Sequence, residues 1–307
     1  TSYLFIKKKI KTVIVDKMIY KKKNILVKKS IFYKLNISNL EFIKKIIIKH
    51  NIKSVIHFAA YKDVEESILK PEKYFKNNYL ISRKFIKCCK DMGINNFIFS
   101  STAAVYGNLK KNKKVTEKTE LKPISMYGST KKRIEEYLEK ISDNNFKFFS
   151  LRYFNVIGAD KYLRYGPIGS NNKSLTSNLY KALNDSKSFK IFGNNHKTLD
   201  GTPVRDFIHV DDLADIHYQS LKYLKKKKTN QIVNCGYGKG YSIKQVVEIF
   251  NNKKYKNFSY SFTKRRPGDI SYMVADTKKI NKIINWKAKF SNLRTMIDSE
   301  LKWKKIK

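Results

Sequence analysis

A tyrosine and a lysine four positions apart, Tyr127 and Lys131 in SMYGSTKKR, form the pair in this sequence best suited to acid–base chemistry. On a helix, residues i and i+4 share a face, so the ammonium would lie close to the phenol. A neighbouring cation favours the phenolate and lowers the pKa of a tyrosine from about 10 towards neutrality. Such a phenolate is a general base that could take a proton from a sugar hydroxyl.

The spacing alone is a weak signal, because the chain of 307 residues contains 20 tyrosines and many lysines. Context distinguishes Tyr127, since Thr102 in FIFSSTAAVYG directly follows an apolar strand. A strand-end hydroxyl and a helix-borne Tyr/Lys pair could meet at one sheet edge and hold one substrate oxygen between a donor and a base. The alternative for Thr102 is a turn or cap hydroxyl. Tyr-x-x-x-Lys also begins at Tyr3, Tyr106, Tyr218, Tyr223 and Tyr260.

Apolar strands alternate with amphipathic helical segments through the first half of the chain, which predicts an α/β fold with a doubly wound parallel (Rossmann-type) sheet. Ligands bind such sheets at the carboxyl ends of the strands, where Thr102 is expected. The predicted strands are 11–16, 30–37, 54–60, 96–101 and 146–153, and the predicted helices are 39–50, 71–92 and 126–141.

The alternation breaks after about residue 155, where loops rich in Gly, Asn and Asp separate shorter elements. This change predicts a smaller C-terminal lobe interleaved with the first. We expect a dinucleotide-binding, Rossmann-type domain over 1–155, to which segments around 204–235 return, and a mainly substrate-binding lobe over 156–307.

The formal net charge of +41 invites a nucleic-acid interpretation, but only eight of the 66 basic residues are Arg and the lysines are spread along the chain. Arg is preferred for bidentate phosphate and base contacts, so no specific nucleic-acid partner is expected. No apolar run approaches the roughly 18 residues of a membrane span. Three cysteines without framework spacing favour a reducing cytoplasm, and the five histidines form no paired metal-ligand motif.

Several stretches together resemble the extended short-chain dehydrogenase/reductase family, in its branch of UDP-sugar 4-epimerases. They keep the order and spacing of the family from about Thr12 to Trp303, and DGTPVRDFIHV with RYFN is far more specific than any Tyr-x-x-x-Lys. The matching stretches are VIHFAAYKDVEESILKPEKYFKNN, FIFSSTAAVYG, SMYGSTK, LRYFNVIGA, IFGNNHKTLDGTPVRDFIHVDDLADIH and RRPGDISYMVAD.

The resemblance implies reversible epimerisation at C4 of a UDP-hexose, UDP-galactose to UDP-glucose, through a 4-keto intermediate with tightly held NAD. Tyr127 would take the proton from the sugar O4, and Thr102 would hydrogen-bond the same oxygen. Lys131 would tune Tyr127 and bind the nicotinamide ribose. A homodimer is the expectation that comes with the family.

Other roles are implied residue by residue. The cofactor-binding positions are Asp16, Asn36, Ile37, Phe58, Ala59, Ala60, Lys62, Asn78, Tyr127, Lys131 and Tyr153. The substrate-binding positions are Thr102, Asn155, Ser174, Leu175, Phe192, Arg205, Arg266, Asp269 and Met273. Arg205 and Arg266 suit two phosphates by charge and fork geometry, with surface solvation as the alternative.

Three residues depart from the family pattern. Thr102 replaces a serine, keeping the hydroxyl and adding a methyl group. Asn36 replaces an aspartate that contacts adenine, so it keeps an acceptor and loses the charge. Met273 stands where side-chain size helps decide whether N-acetylated sugars fit, and a flexible Met leaves that choice open.

The opening stretch TSYLFIKKKIKTVIVDKM resembles the end of a helix followed by a strand that ends in Asp16. The family's first strand and glycine-rich loop are absent from the sequence given, so we expect residues 1–307 alone to bind NAD poorly. One alternative is therefore a truncated, non-catalytic remnant. Another is a 4,6-dehydratase or decarboxylase on the same scaffold, but a dehydratase would carry Asp-Glu after Thr102, where this chain has Ala103-Ala104.

Two further segments imitate sites. QIVNCGYGKGYSIKQVVEIF (231–250) contains G-x-G-x-G, one residue short of a dinucleotide loop, and is interpreted as structural. HVDDLADIH gathers His209, Asp211, Asp212, Asp215 and His217, but its pattern is typical of a strand running into a capped helix and not of a metal site.

Overall fold

The computed structural model describes residues 1–18, 27, 29–109, 112–168, 174–185, 187–251, 259–266, 269–284 and 286–305. The strands are β1 (Val13–Asp16), β2 (Ile31–Lys34), β3 (Ser54–His57), β4 (Asn96–Thr102), β5 (Lys147–Tyr153), β6 (Asn155–Ile157), β7 (Phe189–Phe192), β8 (Val204–His209), β9 (Gln231–Cys235), β10 (Gly240–Ser242), β11 (Tyr260–Thr263) and β12 (Tyr272–Met273).

The helices alternate with the strands in the first half of the chain, as predicted. They are α1 (Ser2–Lys7), α2 (Leu40–His50), α3 (Val64–Leu69), α4 (Pro71–Tyr74), α5 (Ser82–Asp91), α6 (Met126–Ile141), α7 (Leu175–Asn184), α8 (Val210–Lys227), α9 (Ile243–Asn251), α10 (Lys278–Ile284) and α11 (Leu293–Lys305). Among the described residues, no helix is both long enough and apolar enough to cross a membrane.

Four parallel strands form the central sheet in the order β3-β4-β5-β9. All seven residues of β4 are buried, because helices cover both faces of the sheet. On one face, Ile134 and Leu138 of α6 pack with Phe97 and Phe148. On the other face, Ile216 and Leu224 of α8 pack with Ile98 and Phe149. The doubly wound arrangement is therefore confirmed.

β1 and β2 form a separate parallel pair, whereas the sequence predicts one continuous sheet. Among the described residues, β1 has no strand partner other than β2, and β3 has none other than β4. Both β1 and β3 therefore have one edge without a strand partner. Val15 and Val55 nevertheless pack against the same apolar cluster. Hydrophobic packing holds the pair beside the sheet without a shared hydrogen-bond ladder.

The predicted helix over 71–92 is present but changes pitch in its middle. α4 leads into a π-helical segment, Phe75–Ile81, which continues as α5. A π-helical turn carries an extra residue, and such turns are frequent at functional sites. Asn78 lies in this segment and is buried.

A second group of strands surrounds β8, which pairs with β6, β10 and β12, while β7 pairs with β11. Helices α7, α9 and α11 pack around it through Leu179, Val247 and Ile297. α8 and β9 return to the central sheet, since β9 pairs with β5. The lobe boundaries at 155 and around 204–235 stay a prediction.

Candidate active site

Helix α6 begins directly beside the end of β4. The Ser125 side chain caps it by accepting a hydrogen bond from the Gly128 amide. A Cβ atom at Gly128 would lie 2.6 Å from the Ala104 carbonyl oxygen, so only glycine lets the two backbones approach this closely. The first turn of α6 is thereby held against the turn that follows Thr102.

The predicted hydroxyl pair meets at this point. Thr102 is the last residue of β4, and its side-chain oxygen accepts the Ala104 amide at 3.2 Å. Tyr127 lies in the first turn of α6, close enough for the Thr102 side chain to oppose part of the rise in its pKa. Thr102 is therefore both a turn cap and a neighbour of Tyr127.

Lys131 is buried one turn further along α6 and faces the same strand. Its ammonium donates a 2.7 Å hydrogen bond to the Ser100 carbonyl and lies 5.9 Å from the centre of the Tyr127 ring. Burial lowers the pKa of Lys131 to about 7, although the Glu135 charge acts in the opposite direction.

The direction of the Tyr127 pKa differs from the expectation drawn from its cationic neighbour. In this structure burial raises the pKa of Tyr127, and the Thr102 side chain only partly opposes the rise. Both members of the pair are removed from water, so desolvation disfavours the phenolate and the ammonium alike. Sequence spacing carries no information on desolvation, which is why the expectation missed it.

Tyr153 joins the group from the neighbouring strand, because the β4–β5 register places it opposite Thr102. Its phenol lies 2.6 Å from Nε2 of His217, whose Nδ1 is 2.7 Å from the Leu213 carbonyl. The His217 ring also contacts the Phe58 ring, with centroids 4.9 Å apart. His217 was not predicted as a site residue, although a buried histidine on an apolar helix face was the available signal.

The predicted cofactor loop follows β3 and contains Phe58, Ala59, Ala60 and Lys62. The Asn78 side chain holds it by accepting the Tyr61 amide at 2.9 Å and donating to the Tyr61 carbonyl at 2.8 Å. The π-helical segment thus fixes the backbone of this loop. Phe58, Ala59 and Lys62 are exposed to solvent.

Asp16 lies at the carboxyl end of β1, where it accepts the Met18 amide at 2.6 Å. Its neighbour Lys17 donates to the Tyr61 hydroxyl at 3.2 Å, which brings this strand end close to the cofactor loop. Asn36 and Ile37 follow the adjacent strand β2. A carboxylate at a strand end suits a ribose diol. The donors and acceptors present therefore fit NAD.

The predicted phosphate and ribose ligands lie on the β8 side of the molecule. Arg205 on β8 forms a 2.7 Å ion pair with Asp269. Arg266 lies 3.8 Å from the centre of the Phe192 ring and 3.2 Å from the Glu65 carboxylate. The sequence did not predict Glu65 as a partner, because this contact joins residues 201 positions apart in different parts of the fold.

The remaining predicted substrate residues lie around this group. Asn155 begins β6 and is exposed, while Ser174 caps α7 by accepting the Ser177 amide. Leu175 is the first residue of α7 and packs against the apolar cluster that contains Leu179 and Phe189. Met273 is paired with Arg205 in the β8–β12 register, and its side chain is buried in a cluster with Ala103, Val105, Tyr106 and Phe154.

A buried ion pair that the sequence did not reveal lies on α6 beyond Lys131. Glu135 accepts two hydrogen bonds from the Arg152 side chain through Oε2, at 2.8 and 3.2 Å, and one from the Ser150 hydroxyl through Oε1. Arg152 also donates to the Tyr106 hydroxyl at 2.9 Å. A cavity of about 530 Å³ opens beside Glu135 and Arg152, away from Tyr127.

The two imitating segments are structural. In 231–250, a Cβ atom at Gly236 would meet the Asp206 carboxylate at 2.6 Å, so this turn packs against protein. His209 caps α8 through the Asp211 amide. Within the described ranges, no three His, Cys, Asp or Glu side chains are grouped to hold a metal ion.

The family model for the NAD dependent epimerase/dehydratase family matches residues 2–236. This chain belongs to that family. The match spans the Thr102, Tyr127 and Lys131 positions and the cofactor loop after β3.

The chain is 35% identical to the UDP-glucose 4-epimerase of Lactobacillus helveticus over 279 residues, which cover 90% of this chain and 84% of that protein. A UDP-glucose 4-epimerase from Stenotrophomonas maltophila, with bound NAD and formylated UDP-arabinopyranose, superimposes with a TM-score of 0.93 at 27% identity, covering 98% of this chain and 93% of that one. The Bifidobacterium longum UDP-glucose 4-epimerase in complex with NAD+ and UDP gives a TM-score of 0.89 at 31% identity, covering 99% and 93%.

Proposed function

We propose that this protein interconverts UDP-galactose and UDP-glucose by reversible epimerisation at C4, with NAD as a bound cofactor. The observation that carries the proposal is the convergence of the Thr102 and Tyr127 hydroxyls beside the Lys131 ammonium. The family membership and the UDP-glucose 4-epimerase relatives support the same reaction.

Tyr127 acts as the base that removes the proton from the sugar O4 and later returns it. Thr102 hydrogen-bonds the same oxygen and orients it towards the phenol. Lys131 supplies positive charge that stabilises the phenolate as it forms, in a site where burial strengthens that interaction. When bound, NAD would supply reversible hydride transfer at the sugar C4, so no net reductant would be consumed.

The cofactor is held by residues at the carboxyl ends of the central strands. Asp16 binds the adenosine ribose, and Lys131 binds the nicotinamide ribose. The remaining contacts come from the loop fixed by Asn78 and from Tyr153 beside His217. The further cofactor-binding residues are Asn36, Ile37, Phe58, Ala59, Ala60 and Lys62.

The nucleotide part of the substrate lies against β8 and the segment around Asp269. Arg205 and Arg266 bind the two phosphates, since guanidinium groups form bidentate hydrogen bonds with phosphate oxygens. Asp269 binds the uridine ribose, and Phe192 lies beneath Arg266. The other contacts are made by Asn155, Ser174, Leu175 and Met273.

We also propose a homodimer that forms through the exposed face of the π-helical segment and α6. Arg133 of α6 lies 5.6 Å from the Phe75 ring and 5.7 Å from the Tyr79 ring, and Leu80 is 38% exposed. Aromatic residues and arginine are enriched in protein interfaces. Light scattering of the protein and of Leu80→Asp tests the dimer, and a monomeric parent protein would overturn it.

The three free cysteines are buried, which suits a protein of the reducing cytoplasm.

The catalytic proposal is tested by supplying NAD and UDP-galactose and following UDP-glucose by NMR, without added reductant. Tyr127→Phe is expected to abolish turnover almost completely. Tyr137→Phe is the matched control. Tyr137 lies on the same helix, but ten residues after Tyr127, and its ring packs beneath Arg83. Absence of turnover in the parent protein at an NAD concentration that saturates its binding would overturn the reaction, and full activity of Tyr127→Phe would overturn the choice of base.

A further inference from the structure

Arg266, one of the two proposed phosphate ligands, is engaged by a carboxylate from the cofactor side of the molecule. Its Nη1 lies 3.2 Å from Oε1 of Glu65, in the helix α3 that follows the cofactor loop. Both side chains are about half exposed, at 50% for Glu65 and 41% for Arg266. The contact therefore spans the space between the two proposed ligand sites.

The position of Arg266 does not depend on this carboxylate alone. Its guanidinium stacks at 3.8 Å on the Phe192 ring at the end of β7, which keeps it over the proposed substrate site. Stacking of this kind leaves the edge of the guanidinium, with its N–H donors, available for an anion. Glu65 uses part of that edge.

Helix α3 holds Glu65 in place through its neighbours. The Asp63 side chain caps the helix by accepting the Glu66 amide at 3.0 Å. Glu66 in turn accepts from the Lys73 ammonium at 2.6 Å and from the Tyr74 hydroxyl at 2.9 Å. Glu65 thus stands on an anchored turn and presents its carboxylate to Arg266.

Arg205 and Arg266 differ in the carboxylate with which each is paired. Asp269, the partner of Arg205, comes from the same side of the fold, and both side chains of that pair are less than one-fifth exposed. Glu65 is a carboxylate from the opposite side. A diphosphate that binds Arg266 through the edge that includes Nη1 would compete with Glu65 for that donor. The Glu65 carboxylate and the phosphate are both negative, so they would also repel each other.

We propose that Glu65 sets the affinity of the site for the diphosphate, because it occupies Arg266 in the empty protein and is displaced when a nucleoside diphosphate binds. This inference rests on the proposed function, in which Arg266 is a phosphate ligand. The predicted effect is modest, since an exposed ion pair contributes little free energy and its disruption changes an equilibrium by about two- to five-fold.

The test compares UDP and uridine binding by calorimetry to the full chain supplied with NAD, using the parent protein, Glu65→Gln and Glu72→Gln. Glu72→Gln is the matched control, an exposed glutamate on the neighbouring helix α4. Glu65→Gln is expected to bind UDP about two- to five-fold more tightly, with uridine affinity unchanged and the gain lost at high salt. The control is expected to match the parent protein.

The outcomes separate this inference from the function on which it rests. If the parent protein binds UDP and Glu65→Gln shows the same or weaker affinity, the role of Glu65 is overturned and the proposed function stands. If UDP affinity rises equally in Glu72→Gln, the gain comes from the change in the net charge of the protein, and the role of Glu65 is also overturned. If the parent protein does not bind UDP, both proposals fail. Equal gains for UDP and uridine would place the effect outside the phosphates and overturn the inference.

Discussion

The Lys131 ammonium donates a hydrogen bond of 2.7 Å to the Ser100 carbonyl, two residues before Thr102 on the same strand. This contact joins the helix that carries Tyr127, the proposed base, to the strand that carries Thr102. It also places a positive charge 5.9 Å from the Tyr127 ring. We therefore propose both an electrostatic and a positioning role for Lys131.

Removing the charge of Lys131 is expected to lower turnover strongly. Lys131→Met keeps most of the volume but loses the cation and the bond to Ser100, so kcat should fall by about a hundred-fold or more. Lys132→Met is the control, because Lys132 lies on the same helix with its ammonium near Glu136 and the Leu121 carbonyl. The measurement is initial-rate kinetics with saturating UDP-galactose and NAD. Comparable losses in both variants would contradict the prediction.

Thr102 is expected to act through its hydroxyl and not through its methyl group. Thr102→Ser should retain turnover within a few-fold, whereas Thr102→Val should lower kcat by about ten- to a hundred-fold, because it loses a hydrogen bond to a developing charge. The comparison uses the same kinetic assay. A Val variant as active as the Ser variant would leave Thr102 with only its capping role.

The pH dependence of stability should reveal the buried His57. Burial, and then the Lys131 charge, lower the pKa of His57 to about 3. The ordinary value is near 6.5, so its contribution is complete above that pH and is lost as the pH falls from 6.5 towards 3. The slope is about 1.4 kcal/mol per pH unit.

His57→Gln should therefore weaken the loss of stability on acidification. Chemical denaturation at intervals from pH 7.5 to pH 4 should give a shallower slope for the variant below pH 6.5 and parallel curves above it. The glutamine side chain at position 57 can retain a hydrogen bond with the Ser82 hydroxyl, which lies 2.9 Å from Nε2 of His57 in the parent protein. Parallel curves over the whole range would contradict the lowered pKa.

The Arg152–Glu135 pair should be important for the stability of the fold. Both side chains are less than 5% exposed, so Arg152→Met leaves Glu135 as an uncompensated buried charge and should destabilise the fold by about 3–5 kcal/mol. Urea denaturation measures the change. Glu41→Gln, which breaks an exposed pair with Lys44, is the control and should change the unfolding midpoint little. A near-normal midpoint for Arg152→Met would show that the pair is replaceable.

The size of Met273 should influence which sugars are accepted. Its side chain is buried beside Ala103 and Val105, close behind Thr102. Met273→Ala would open space there and should raise turnover of UDP-N-acetylgalactosamine relative to UDP-galactose by about ten-fold. Val105→Ala removes volume from the same cluster and should leave this ratio unchanged. Equal ratios in Met273→Ala and the parent protein would remove Met273 from the specificity determinants.

Much of the site could be predicted because local pattern and topology act together. The 3.6-residue period of 126–141 predicts the helix α6 at its observed bounds. The predicted strand 96–101 places Thr102 directly after a strand end, and parallel strands bring such ends to one edge. These rules predict the placement of Tyr127 and Lys131 beside Thr102, whereas their roles come from the family resemblance and stay a proposal.

Other features depend on tertiary packing, which residue spacing does not encode. The raised pKa of Tyr127 comes from desolvation, and desolvation depends on all the elements that cover the site. The π-helical segment arises within a sequence whose apolar period is simply helical. The Glu65–Arg266 contact and the Tyr153–His217 contact join distant segments, so neither spacing nor composition indicates them.

The close approach of Gly128 to the Ala104 carbonyl has a consequence for how the chain tolerates its unusual composition. At this point two main chains come together with no room for a side chain at position 128. Lys140, at the exposed end of the same helix, takes no part in the contact. Lysine enrichment on the outer turns of α6 is therefore compatible with the placement of Tyr127 beside Thr102.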